Sequence, residues 1–197
     1  IAKQLESFKE RVPYEINSET DITRIKFVHT DPLPLIQMKV NDQQGNFIID
    51  TGGSEIFLDP DFAKKVGASD FGSNMLTYGG GKQAATGYGR VDKVTIGDFV
   101  VNNVPIHILS TKNFSAAANG LEVNGILGTV LLYHFISTID YPAGELVLQR
   151  KTSAALKKFE QETNQIVIPF WMSGDHLMVA WGTINSSKPL LFLIDTG

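Results

Sequence analysis

From Arg24 onward the chain alternates apolar and polar positions with the period of two that belongs to half-buried strands. Ile25 to Phe27 and Leu35 to Val40 follow that rule, and Asn41-Asp42-Gln43-Gln44-Gly45-Asn46 predicts a polar turn after them. The next strand, Phe47-Ile48-Ile49, is apolar without alternation, the pattern of a strand covered on both faces. The two strands make a hairpin with Asp50 at its end. Glu55 to Leu58 predicts a further strand and then a well-punctuated helix: Asp59 can cap it, Pro60 suits its first position, and Gly67 suits the residue past its end.

Thr77-Tyr78-Gly79-Gly80-Gly81-Lys82 predicts a flexible turn, Ala84 to Val101 alternates with a turn at Gly97-Asp98, and Val104 to Leu109 gives one more strand. Asn124-Gly125-Ile126-Leu127-Gly128 leads into a short helix from Thr129 to Phe135 and a hairpin from Ser137 to Leu148. Residues 1–22, with Leu5, Phe8 and Val12 at helical spacing, predict a short surface helix or an arm. Residues 151–165 are rich in Lys, Glu and Gln, with Leu156 and Phe159 three apart, and predict a connector helix or linker. Near residue 166 the pattern restarts. Leu177 to Trp181, a turn at Asn185-Ser186-Ser187-Lys188 and Leu190 to Asp195 repeat the earlier hairpin element for element.

Composition sets limits on function. A chain of 197 residues with 43% hydrophobic content supports one substantial core or two small ones. A net charge of -4 and a pI near 5.5 give no electrostatic reason to expect nucleic acid or an anionic membrane as partner. Cysteine is absent, which removes disulfides, thiol catalysis and cysteine zinc sites and is compatible with any redox compartment. No apolar stretch reaches the length of about eighteen residues that a membrane span needs. His29, His107, His134 and His176 stand in unrelated contexts without ligand spacing and are expected to be structural, and Trp171 and Trp181 flank a strand pattern and are expected in the core.

The chemistry lies at the ends of the two repeated hairpins. Both carry Asp-Thr-Gly: Asp50-Thr51-Gly52 after Phe47-Ile48-Ile49, and Asp195-Thr196-Gly197 after Leu190-Leu191-Phe192-Leu193-Ile194. A glycine after the motif strand permits a sharp turn that exposes the Asp, and the Thr hydroxyl can tie one loop to its twin. If the two loops meet, their carboxylates resist ionising together and hold one proton between them, so that one acts as base and the other as acid. The aspartic-protease dyad is the standard instance of that coupling.

On these motifs the chain resembles the aspartic proteases of the retropepsin and pepsin type, nearest to the bacterial retropepsin-like aspartyl proteases. The likeness covers roughly residues 24 to 150 and restarts near residue 166. Gly125-Ile126-Leu127-Gly128 matches the family's element that crosses beside the catalytic loop, although Asn124 stands where an apolar residue is usual. The resemblance implies an all-β fold: an extension (1–23), a first aspartic-protease lobe (24–150), a connector (151–165) and the first hairpin of a second, incomplete lobe (166–197). It implies catalytic Asp50 and Asp195, loop support from Thr51, Gly52, Thr196 and Gly197, and a substrate-covering flap at Tyr78, Gly79, Gly80 and Gly81. Substrate would be an extended peptide or protein, with no metal or organic cofactor. The second carboxylate would come from the second lobe, whose remaining half lies outside this chain, or from Asp50 of a homodimer partner; the hairpin repeat favours the former. Gly53 stands where pepsin-like enzymes place Ser or Thr and retroviral ones Ala. That departure leaves open a second reading, a retropepsin-like peptide-binding or scaffold module without turnover.

Overall fold

A computed structural model describes residues 15–29, 31, 33–78, 81–161, 166–173 and 176–197. Leu5, Phe8, Val12, Gly79 and Gly80 lie outside the described residues. The strands are β1 (Glu15–Asn17), β2 (Ile22–His29), β3 (Leu35–Val40), β4 (Gln43–Ile49), β5 (Ile56–Leu58), β6 (Ser69–Thr77), β7 (Gln83–Ile96), β8 (Phe99–Ile108), β9 (Gly125–Leu127), β10 (Phe135–Asp140), β11 (Glu145–Arg150), β12 (Trp171–Ser173), β13 (Leu177–Gly182) and β14 (Leu190–Leu193). Between them lie four helices: α1 (Pro60–Lys65), α2 (Lys112–Ala117), α3 (Thr129–Leu132) and α4 (Ser153–Glu160).

The order β3-β4-β9-β5-β8-β7 closes on itself through a β3–β7 pairing at Lys39–Thr95 and Val40–Val94, which makes a six-stranded barrel. Closure removes the sheet edges that would otherwise present unpaired backbone. β2, β11 and β10 extend the sheet beyond β3, and β1 pairs with β8. The fold is mostly β, with the closed barrel at its centre.

β4 explains why its sequence lacks alternation. Phe47 and Ile49 face the main core with Met38, Val40, Leu58 and Val94, while Ile48 faces a second cluster with Leu35, Ala118 and Val123. The turn that delivers it is tighter than the polar run predicted: Asn41 (φ 44°) and Asp42 (φ 67°) make the corner alone, two residue types that tolerate the left-handed region, and β4 starts at Gln43. α1 has the expected punctuation, with Asp59 accepting from Asp61 N–H at 3.0 Å, Pro60 at its start and Gly67 at φ 67° just beyond.

Several expectations are corrected. Residues 15–17 are a strand rather than helix or arm, and β2 begins at Ile22, inside the stretch assigned to an extension. β6 and α2 have no counterpart in the sequence reading. α3 ends at Leu132 because the chain turns directly into β10. The C-terminal unit is a three-stranded sheet, β12-β13-β14, rather than a single hairpin. Its apolar faces are open: Trp171 is 50% exposed, Trp181 58% and Leu191 54%, so the tryptophans pack edge-to-face on one another and not in a core. No layer among the described residues covers them.

Candidate active site

The first Asp-Thr-Gly loop leaves β4 at the barrel end and is held from below by the crossing strand β9. Asp50 N–H donates to Leu127 O at 3.0 Å, continuing the parallel β4–β9 ladder. Thr129 N–H and hydroxyl both donate to Gly53 O, at 3.0 and 3.2 Å, and Val130 N–H donates to Ser54 O at 2.7 Å. The start of α3 thus satisfies the carbonyls that a sharp loop leaves without ladder partners. This contact needs glycine at 128, where a Cβ would lie 2.3 Å from Glu55 O, and at 125, where it would lie 2.2 Å from Phe57 O. Asn124 continues the ladder, its backbone N–H bonded to Asn46 O and its side-chain oxygen accepting Asn46 N–H, both at 2.9 Å. A polar lead-in therefore fits this position.

The second loop, at the end of β14, docks against the first. Thr51 hydroxyl donates to Ile194 O at 2.8 Å, and Thr196 hydroxyl donates to Ile49 O at 2.9 Å, so each side chain crosses to the carbonyl ahead of the opposite Asp. Thr196 Oγ1 also accepts Thr51 N–H at 3.1 Å. The two glycines close the gap. A Cβ on Gly52 would lie 2.5 Å from Asp195 Cγ, and one on Gly197 would lie 2.4 Å from Asp50 Cγ. Each carboxyl is seated on the other loop's glycine, an arrangement with approximate twofold symmetry.

The electrostatic surroundings are less symmetric. Asp50 is half-buried and Asp195 exposed. Burial pushes the Asp50 carboxyl up to about 6, and the charge and hydrogen bond of Asp195 push in the same direction. Backbone N–H groups of Gly52 and Gly53, 2.7 and 3.0 Å from Asp50 Oδ1, oppose the rise by stabilising the carboxylate. They act on Oδ1 only. Gly53 leaves room beside Oδ2, since a Cβ there would stand 3.6 Å from Asp50 Oδ2 and from Phe57 Cε2, ordinary contact distances.

Of the remaining sequence candidates, Tyr78 and Gly81 lie at the tip of the β6–β7 hairpin. Tyr78 N–H donates to Lys82 O at 2.7 Å, and Gly81 N–H donates to Tyr78 O at 3.1 Å. The Tyr78 hydroxyl bonds that of buried Thr86, and burial raises its pKa. The histidines are not all in unrelated places, because His134 and His176 both flank the Tyr133 ring, with centroids at 6.2 and 5.9 Å. Among the described residues no three His, Asp or Glu side chains are grouped to hold a metal ion. Thr129 escaped the sequence reading, its only signal being its place directly after Gly128, and so did the pairing of Glu55 with His107 at 2.7 Å.

The chain thus joins a closed β-barrel to an Asp-Thr-Gly loop braced by a Gly-x-Leu-Gly crossing strand. Residues 36–131 match the model of the family described as "Aspartyl protease". Similar solved structures include a retropepsin-like aspartic protease from Rickettsia conorii, 24% identical over 71% of this chain and 96% of its own, with a TM-score of 0.46. They also include the retroviral protease-like domain of Ddi1 from Leishmania major, 14% identical over 59% of this chain and 87% of its own, with a TM-score of 0.41. No curated protein sequence matches the chain.

Proposed function

We propose that the protein is an aspartic endopeptidase in which Asp50 and Asp195 of the same chain activate one water for attack on a peptide bond. The observation that carries this reading is the seating of each carboxyl on the opposite loop's glycine, with the two threonine hydroxyls crossed between the loops. In that arrangement the ionised carboxylate takes the water's proton while the protonated one donates to the scissile carbonyl oxygen. The proton then passes to the leaving amine, and no covalent intermediate forms.

Asp50 is well suited to hold the shared proton, because burial and the neighbouring Asp195 both favour its acid form. Thr51, Gly52, Thr196 and Gly197 keep the carboxyls in register. The β6–β7 hairpin, with Tyr78 and Gly81 near its tip, serves as the flap, and an extended peptide adds to it as a strand. The sheet β12-β13-β14 is the beginning of a second lobe, and its open apolar faces are those such a lobe would cover. A dyad built from two Asp50 residues is the less favoured reading, because the Asp195 carboxyl of the same chain lies against Gly52 of the first loop.

Peptide cleavage by the intact protein between about pH 3 and 8 tests this, with a statine-type mimic of the tetrahedral intermediate beside a plain peptide of the same sequence. A mimic bound at least a hundredfold more tightly, together with loss of cleavage in Asp50→Asn, supports the protease. Equal binding of the two with no cleavage would instead favour a peptide-binding module.

A further inference from the structure

Gly53, Glu55 and Phe57 are alternate residues of the segment that leaves the first Asp-Thr-Gly loop and enters β5 at Ile56. Gly53 and Phe57 stand beside the Asp50 carboxyl: the Cβ position of Gly53 lies 3.6 Å from both Asp50 Oδ2 and Phe57 Cε2. Ile56 and Leu58 point the other way, into the barrel core. The row continues across the sheet. Phe57 pairs in register with His107 on β8, and His107 with Tyr88 on β7, the return strand of the β6–β7 hairpin. Their rings meet edge to face, with centroids 5.0 Å apart for Phe57–His107 and 4.9 Å for Tyr88–His107. His107 Nε2 then reaches Glu55 Oε2 at 2.7 Å.

An acid at this place needs a reason. The Glu55 side chain is 33% exposed while His107 is 15% exposed, so the imidazole is the buried half of the pair and the carboxylate faces outward. Clamped between two aromatic rings, His107 holds Glu55 in one position at little further entropy cost. An ionised carboxylate has about four lone-pair sites, and the imidazole takes one of them. The remaining acceptors face outward, and the half-buried Tyr88 ring beside His107 offers apolar surface to the stem of a long basic side chain.

We infer that Glu55, positioned by His107 and flanked by Phe57 and Tyr88, forms a specificity subsite that receives a cationic side chain, Arg or Lys, of the peptide. The inference rests on the protease reading for the location of the peptide and adds to it the chemistry of one substrate side chain. A carboxylate that pairs a fixed partner on one side and an incoming guanidinium on the other discriminates chiefly against peptides with an acidic or apolar residue there.

The test uses reduced-amide peptides, which cannot be cleaved, with Arg, Leu or Glu placed in turn at each position flanking the reduced bond. Their affinities for the intact protein and for Glu55→Gln are measured by titration calorimetry. At one position Arg should bind about tenfold more tightly than Leu, and Glu should bind most weakly. Glu55→Gln should bring the Arg and Leu peptides within about twofold, and a cooperative thermal transition near that of the parent shows that the variant is folded. No Arg preference at any position, or a preference that survives in Glu55→Gln, would overturn the inference. Turnover of the ordinary amide peptides is read separately. An Arg preference without cleavage removes the protease and keeps the subsite, whereas cleavage without an Arg preference does the reverse.

Discussion

Replacing Gly53 by serine should move the alkaline limit of activity to lower pH. The backbone of Gly53 already accommodates a side chain, because its Cβ position is 3.6 Å from its nearest neighbours and its φ is not in the left-handed region. One of those neighbours is Asp50 Oδ2, so a serine hydroxyl on that carbon can donate to the oxygen that the Gly52 and Gly53 N–H groups do not reach. A hydrogen bond to a charged group is worth roughly 1.5–3 kcal/mol, and about 1.4 kcal/mol corresponds to one pKa unit. The Asp50 carboxyl, now at about 6, should therefore titrate about one to two units lower in the variant. The sign follows from which form the hydroxyl stabilises. It favours the carboxylate, the shared proton leaves earlier as pH rises, and the singly protonated pair persists over a narrower range. The assay is kcat/KM against pH for one peptide, with Gly53→Ala as the control that adds the carbon without the donor. An alkaline limb that stays near 6 in Gly53→Ser, or one that moves equally in Gly53→Ala, would refute the reasoning.

Further outcomes follow from the same geometry. Asp50 is easier to protonate in the folded chain, at about 6 against 3.8 when unperturbed, so its contribution to stability is complete below about pH 4 and is lost as pH rises through about 6. That difference amounts to about 3 kcal/mol, and it should vanish from the urea-unfolding free energy of Asp50→Asn compared across that window. Thr51→Val keeps the shape of a fully buried side chain but deprives Ile194 O of its donor, which should cost about 1–3 kcal/mol of unfolding free energy and lower kcat more than it raises KM. Gly197→Ala should reduce kcat/KM by at least about a hundredfold, because the added carbon would stand 2.4 Å from Asp50 Cγ and displace the pair by the order of an ångström. Gly125→Ala should instead lower Tm, because its Cβ meets Phe57 O at 2.2 Å inside the barrel.

The elements legible in the sequence are those whose own residues carry the physical reason for their shape. Phe47 to Ile49 is apolar throughout because both of its faces are buried, and Asp59, Pro60 and Gly67 each act within a single helical turn. Leu190 to Leu193 carries the same apolar signal, yet Leu190, Leu191 and Leu193 are about half exposed, because burial depends on a second layer that the strand cannot encode. β6 was invisible because most of its residues face solvent and Gly72 interrupts its alternation. α2 was missed because it has neither a side-chain cap bond nor a buried face. At the candidate site, the Asp-Thr-Gly copies were evident as a local motif. Glu55 and His107 were not, because their meeting depends on the parallel pairing of β5 with β8.

The most direct test of the central claim is the activity of Asp195→Asn in the intact protein, with its mass in solution measured on the same sample. A dyad within one chain predicts that kcat/KM falls by about a thousandfold or more in a protein that remains monomeric. Undiminished cleavage by Asp195→Asn, above all in a dimer, would contradict the account and assign the second carboxyl to another chain's Asp50.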